Sequence, residues 1–528
     1  MPAEQQSRWI PGRYPAPGTS PIGDAIRQRR GERGITSLDA ALLHVPPIAE
    51  GWNTLLGAVR TKGDLGGDVR ELMILRVAAI NGAAYEWIHH EQVGRQHGLT
   101  TAQLYIIRDI TTPLPPAQGI LNPLQSAALA FSDASTRTVT ISDSITEDLR
   151  RELRQWVLKE HSGLSEEDVR EKTSDLFVEA GLVVATYNMV SRFLVAVDVA
   201  GFSKEVVPWP LERQEYFFPI PKEDPTHAIH TLTLKSSTSA PCIVFVNSLL
   251  TDYTMWSLVL PYFIARDYNI VLFSQRGHGQ STLPSSPSSP PPPDSDPRTV
   301  TIPLLASDIH DILTSHLSIP SRDIKAIIGV SQGGATALAY AALYNEINDS
   351  AATAKSIIVC DTAPRTAEGS KAAWEERIAL VGGEQVGGMK RLADITVPRW
   401  FPPGSQVSPQ EDSSNGNNSR AEWVSSLITN TPVSGFEAGA RALSSYDVLS
   451  LGLLESSVPS VLLLAGSLDG GGKVGRSLKQ FGEEWNEKRR GQGRTEVEFV
   501  EVEGSGHLPM VDEPEKFWKA VDAFLAKV

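Results

Sequence analysis

Residues 326–344 read AIIGVSQGGATALAYAALY. A short apolar run rich in isoleucine ends at Gly329, Ser331 stands between Gly329 and Gly333, and an alanine-rich stretch follows. The G-x-S-x-G spacing fits a strand that turns sharply into a helix, because small residues on both sides let a strained turn lift the serine hydroxyl above a sheet edge. Alone, the pentapeptide is a weak signal, since a structural serine in a glycine-rich turn has the same spelling. The apolar run before it and the helical run after it favour a nucleophile.

Working outward, CIVFVN, NIVLFS, SIIVCD, SVLLLAG and EVEFVEVEG are short runs rich in β-branched residues, separated by helical stretches. Strands alternating with helices predict a mostly parallel sheet covered on both faces. A nucleophilic serine on such a sheet needs an acid and then a histidine, in that chain order. His507 follows the last of these runs and precedes PEKFWKAVDAFL, which places it on the loop where the base belongs. Asp469 follows SVLLLAG in the same way, although an aspartate beside Gly470, Gly471 and Gly472 would also suit a plain turn. Asp361 and Asp447 are weaker candidates for the acid. The oxyanion hole is expected from the Gln332 N–H together with that of Leu249 or Ser248, on the loop after CIVFV. His278, in RGHGQS, reads as structural.

The amino-terminal part has a different period. From about residue 36 to 201, apolar residues recur at helical spacing, which predicts an all-helical domain. Glu86 and His90 stand at i and i+4, so they project from one helix face, and His89 is expected to point elsewhere. If the chain breaks at Asn81-Gly82 and folds back, Glu71 approaches His90, and carboxylate, imidazole and carboxylate form a proton relay. From spacing alone, a solvated surface pair is the better reading of Glu86 and His90. The segment 202–226 is proline-rich and reads as a linker between a helical domain, 1–201, and a second domain, 227–528. The low-complexity stretches 282–298 and 404–420 read as mobile surface insertions.

Composition bounds the function. A length of 528 residues predicts more than one domain, and a net charge of −14 argues against a nucleic-acid partner. Cys242 and Cys360 are the only cysteines, too few for a disulfide framework or a cysteine-rich metal site; no metal site is expected. The amino terminus lacks a signal-like apolar core, and no unbroken apolar run approaches a membrane span, so a cytoplasmic protein without membrane association is expected.

VNSLLTDYTMWSLVLPYF, FSQRGHGQST, GVSQGGATALAYA, AWEERIALVGGEQVGGMKRLADITVPRWF and GSGHLPMVDEPEKF together resemble the 3-oxoadipate enol-lactonases of the α/β-hydrolase fold, over most of 243–525. The resemblance implies a small helical cap at about 362–447, with Arg399 and Trp400 as substrate contacts, although Arg399 on a solvated face is an equal reading. Where the family carries glycine after N-S-L, this chain has Leu250. A serine rather than an aspartate at the elbow favours ester or lactone cleavage over alkyl-halide or epoxide chemistry.

RELMILRVAAINGAAYEWIHHEQVGRQHGLT and VATYNMVSRFLVAV resemble the carboxymuconolactone decarboxylases and the related alkylhydroperoxidase D group, over about 40–200. The peroxidase members carry C-x-x-C where this chain has Ala83 and Glu86. With no thiol in this half, disulfide-based peroxide reduction is excluded unless a foreign thiol is recruited. The decarboxylase pattern remains, implying Glu71, Glu86 and His90 in the site with Tyr85 and Arg192 as pocket residues. No cofactor is implied, because the lactone carbonyl serves as its own electron sink, and a homo-oligomer through the helical domain is implied.

The expected fold is therefore multidomain: an all-α carboxymuconolactone decarboxylase-like domain followed by an α/β-hydrolase domain with a helical cap. The two resemblances name consecutive steps in the protocatechuate branch of the 3-oxoadipate pathway, decarboxylation of a carboxymuconolactone and hydrolysis of the enol-lactone. The substrate is expected to be a small lactone carboxylate. The alternative is a serine lactonase or esterase for another lactone, with the helical half an oligomerisation module.

Overall fold

The computed structural model describes residues 7–114, 116–220, 227–284, 299–345, 354–382, 387–407 and 418–528. Most of the two expected insertions, and the end of the expected linker, lie outside the described residues. The chain forms two compact units, one of residues 1–115 and 119–210, the other of 116–118 and 211–528.

In the first unit every regular element among the described residues is helical. The helix Gly67–Ile80 lies at its centre, with Leu72, Met73, Ile74, Leu75, Val77 and Ala78 fully buried. A helix buried on nearly every side has to be enclosed by others. Its most deeply buried cation is satisfied: Arg76 donates to Asp133 at 2.6 Å and to the carbonyls of Ile107 and Asp109, as burial of a charge demands. The chain then breaks at Asn81 and at Gly82, whose φ of +66° suits glycine. The Asn81 amide donates to Asn188 and Ser191, fixing the break, and Ala84–Gln96 runs on as a separate helix.

The long helix Glu166–Val197 is apolar enough to cross a membrane by length and composition alone, contrary to the expectation from unbroken runs. An unbroken-run count misses it because Glu179, Thr186, Asn188 and Ser191 interrupt the apolar residues. Those polar groups have work within the unit: Glu179 accepts from the Asp64 and Leu65 N–H groups, and Asn188 donates to Thr136. Half of the apolar window is buried within the protein.

The second unit is built on an eight-stranded sheet: β1 (Glu212–Pro219), β2 (Ala228–Lys235), β3 (Cys242–Val246), β4 (Asn269–Phe273), β5 (Ile324–Val330), β6 (Ser356–Cys360), β7 (Ser460–Gly466) and β8 (Glu498–Val502). The spatial order is β1-β2-β4-β3-β5-β6-β7-β8, antiparallel as far as β4 and parallel beyond it. All five residues of β3 and of β6 are buried, as strands covered on both faces must be. β4 and β5 flank β3 on opposite sides, so strand order reverses there, and in such sheets ligands bind outside the carboxyl ends of the strands at that point.

β1 corrects the linker expectation, because the sheet begins within 202–226. Prolines did not forbid a strand here: Pro208 and Pro210 precede it, Pro219 ends it, and an edge strand pairs on one side only. Between β6 and β7, four helices, Ser370–Gly382, Gly388–Trp400, Asn418–Asn430 and Val433–Leu443, occupy the region of the expected cap. The base of that excursion is closed where Arg365 bridges Asp447 and the Tyr446 hydroxyl donates to the Ala363 carbonyl.

Candidate functional site

Ser331 is the turn residue between β5 and the helix Gln332–Tyr344, at φ +56° and ψ −118°. A non-glycine residue there is strained, and its surroundings explain why it persists. The Ser331 N–H donates to the Cys360 carbonyl at 2.9 Å. A Cβ on Gly329 would stand 2.1 Å from the Gly333 carbonyl oxygen, and one on Gly333 2.2 Å from that of Val246. Both glycines are therefore required, while the serine side chain remains half-buried.

On the loop after β3, the N–H groups differ in their partners. The Ser248 N–H is directed at the Met255 sulfur and the Leu250 N–H donates to His278 Nε2 at 3.3 Å, while among the described residues the N–H groups of Leu249 and Gln332 meet no acceptor. Leu250 adopts φ +70°, the conformation for which glycine is the easy choice. His278 is buried with both ring nitrogens engaged, Nδ1 donating to the Arg276 carbonyl, and burial pushes its pKa down to about 4. The helix Val433–Leu443 closes over these loops through two glycines. A Cβ on Gly435 would stand 1.9 Å from the Gly277 oxygen, one on Gly439 would meet Leu249, and the Gln332 amide donates to the Gly439 carbonyl at 2.8 Å.

His507 follows β8, and its Nδ1 lies 2.7 Å from Asp469 Oδ2, after β7. The His507 N–H donates to the Trp400 carbonyl, and the two rings stack at 5.6 Å. Trp400 is thus buried against the base, whereas Arg399 is exposed. Asp361, after β6, does not compete with Asp469 for the histidine. It lies behind it, fully enclosed at φ +44°, accepting from the Gly466 N–H at 2.8 Å. Ligating atoms of Asp361, Asp469 and His507 lie within 4.8 Å of one another. Burial and the Asp469 charge push the Asp361 carboxyl well above the usual range. Burial also disfavours charge on Asp469, but His507 and the hydrogen bond from Asp361 outweigh it and hold its carboxyl low. A shared proton accounts for this acid cluster as well as a cation would. Asp447 is exposed and caps the N–H groups of Leu449 and Ser450.

The helical unit brings a second group of the expected residues together. The break at Asn81-Gly82 folds two helices together, and His90 Nδ1 lies 2.6 Å from Glu71 Oε2. The Tyr187 hydroxyl lies 3.2 Å from His90 Nε2 and accepts from Arg60 Nε at 2.7 Å. A cavity of about 320 Å³ is lined by Arg30, Arg33, Arg60, Arg70, Glu71, Tyr85, Glu86, His89 and His90, among others. Glu86 is 2% exposed, and neither carboxyl oxygen has a partner among the described residues. Burial raises its pKa well above the ordinary value.

Two expectations fail here. Arg192 is exposed, two positions from the cavity-lining Val190 and Leu194 and so on the opposite side of its helix. His89 lines the cavity, because the cavity wraps far enough around the helix to reach it, and its Nδ1 pairs with the Tyr85 carbonyl. Tyr187 and the four arginines are missed by sequence reasoning. Tyr187 stands in a stretch singled out for its resemblance, but its partner lies 97 residues away and no local spacing marks it.

With a strained serine elbow at the carboxyl end of β5, followed by an aspartate after β7 and a histidine after β8, the second unit has the architecture of an α/β hydrolase. Residues 243–520 match the alpha/beta hydrolase family, and the chain belongs to that family. Residues 46–115 match the carboxymuconolactone decarboxylase family. Two relatives from Acinetobacter baylyi are 3-oxoadipate enol-lactonase 1, 29% identical across 55% of this chain and 90% of that protein, and 3-oxoadipate enol-lactonase 2, 28% identical across 54% and 89%. Among solved structures, the enol-lactonase from Burkholderia xenovorans LB400 is 22% identical over 57% of this chain and 98% of its own, with a TM-score of 0.43.

Proposed function

We propose that the chain is a bifunctional enzyme whose helical unit decarboxylates a carboxymuconolactone and whose hydrolase unit opens 3-oxoadipate enol-lactone to 3-oxoadipate. The observation that carries this reading is the pairing itself. A carboxymuconolactone decarboxylase match and enol-lactonase relatives occur in one chain, and the product of the first chemistry is the substrate of the second.

In the hydrolase unit, Ser331 attacks the lactone carbonyl while His507, oriented by Asp469, takes its proton. The N–H groups of Leu249 and Gln332 receive the developing oxyanion. The same histidine protonates the leaving enolate oxygen, and water releases the acyl group from the serine. In the helical unit, the arginines facing the cavity suit an anionic substrate, since guanidinium groups hold carboxylates through charge-assisted hydrogen bonds.

The test follows CO2 release and lactone absorbance from 3- and 4-carboxymuconolactone. Ser331→Ala should still release CO2 and accumulate enol-lactone. Failure of the wild type to release CO2 from either isomer would leave the second reading, a serine lactonase for another substrate with a helical oligomerisation module. That reading is favoured by one feature, the exposed residues Val178, Leu182 and Met189 along one face of the long helix, suited to a second copy of this chain.

A further inference from the structure

We infer that Glu86, and not His90, is the group that delivers the proton after CO2 leaves, and that His90 is a positioning residue held between Glu71 and Tyr187. The inference rests on the decarboxylase reading of the helical unit and assigns the proton transfer within it.

Hydrogen bonding separates the two candidates. Burial outweighs the pull of Glu71 and lowers the His90 pKa, so the ring is neutral and carries one N–H. With Nδ1–H given to Glu71, Nε2 accepts the Tyr187 hydroxyl proton, and the Tyr187 oxygen accepts from Arg60. Both ring nitrogens are then committed, and a proton could leave His90 only by breaking this chain. Glu86 has the opposite situation. It stands in the cavity wall on the same helix face, one turn before His90, with neither oxygen bonded among the described residues. A buried carboxyl without partners stays protonated, because charging it would forfeit hydration without compensation.

The groups facing Glu86 fit this role. Arg60 comes from the helix Pro46–Thr61, Glu71 and Arg70 from Gly67–Ile80, Tyr85, His89 and His90 from its own helix, and Tyr187 lies behind His90. Glu71 disfavours a second negative charge, and Arg60 tolerates a transient one. In the step itself, on the 4-carboxy isomer, whose carboxylate sits on the saturated ring carbon next to the conjugated double bond, the bond from that carbon to the carboxylate breaks and CO2 departs. The electron pair moves through the conjugated double bond onto the lactone carbonyl, giving a dienolate. As the dienolate carbonyl re-forms, the Glu86 O–H bond breaks and a C–H bond forms. Glu86 is left as a carboxylate beside Arg60 and regains its proton from water. One proton is consumed and one CO2 released per turnover.

The experiment uses the full chain in wild-type, Glu86→Gln, Glu86→Asp and His90→Gln forms, with ester hydrolysis at the other unit as the folding control. An infrared difference spectrum between wild type and Glu86→Gln at neutral pH should contain a protonated-carboxyl C=O band that shifts in D2O; a carboxylate band instead overturns the inference. With 3- and 4-carboxymuconolactone as probes, Glu86→Gln should lower kcat for CO2 release by about 10²–10⁴-fold. Glu86→Asp should recover part of it, and His90→Gln should lose less while keeping the wild-type solvent isotope effect. CO2 release by Glu86→Gln within about threefold of a working wild type would overturn the proton assignment alone. A wild type inactive on both isomers would instead remove the decarboxylase reading, and the proton role with it.

Discussion

Asp469 Oδ2 accepts from His507 Nδ1 at 2.7 Å, while beside it lies Asp361, whose carboxyl is pushed well above the usual range by burial and by the Asp469 charge. The three side chains come from loops after β6, β7 and β8, which are neighbours in the sheet although 146 residues separate the first from the last. The Asp469 carboxyl is held low by His507 and Asp361, and it can hold His507 in the tautomer that leaves Nε2 free to accept a proton.

Replacing Asp469 with Asn should therefore lower kcat for a generic ester by about 10³–10⁴-fold, because the amide favours the wrong imidazole tautomer. Steady-state kinetics with the serine still titratable by an acylating reagent would check this. Unchanged kcat would leave Asp469 as a turn residue.

Asp361→Asn keeps a donor toward Asp469, and Asp361→Val removes it. The hydrogen bond from Asp361 is one of the influences that lower the Asp469 pKa, so its loss raises that pKa. The loss of hydrolysis on the acid side should then begin at a higher pH in Asp361→Val than in Asp361→Asn. Coincident pH profiles of kcat/KM would refute the shared proton.

His278 supplies a stability test. Its pKa falls from 6.5 in the unfolded chain to about 4 in the fold, so the unfolded state binds more protons between those values. Stability is complete above pH 6.5 and declines as pH falls toward 4, with a contribution of about 3 kcal/mol from this buried group. Urea midpoints of the hydrolase unit at pH 7 and pH 5 should differ in the wild type and converge in His278→Gln.

Gly435→Ala would place a Cβ 1.9 Å from the Gly277 oxygen, a backbone atom that cannot swing aside. The helix Val433–Leu443 must shift, at a cost of about 1–3 kcal/mol in stability. Displacement of its hydrogen bond to the Gln332 side chain should disturb the oxyanion loop and lower kcat more than it raises KM. A lowered urea midpoint with unchanged kcat would show that the helix does not support the elbow.

In the helical unit, Tyr187→Phe removes the hydroxyl between His90 Nε2 and Arg60 and leaves both without that partner. The loss should be about 1–3 kcal/mol, the range for an orphaned buried polar group. Thermal melts followed by circular dichroism would check it, and CO2 release should fall less than in Glu86→Gln.

The elements legible in the sequence were those written in local spacing. Helical periodicity marked the first unit, β-branched runs marked the sheet, and the position of Ser331 between a strand and a helix required the elbow, because backbone sterics act over a few residues. His507 and Asp469 were legible for the same reason, each standing just after an apolar strand. Tertiary structure decided the rest. It placed Glu71 on His90, brought Tyr187 and Arg60 to the other ring nitrogen, turned Arg192 outward, and set Asp361 behind Asp469. Proline content hid β1, whose tolerance of proline depends on lying at a sheet edge. These outcomes depend on which surfaces meet after the helices and strands have formed, and such contacts join residues far apart in the chain that no short-range pattern records.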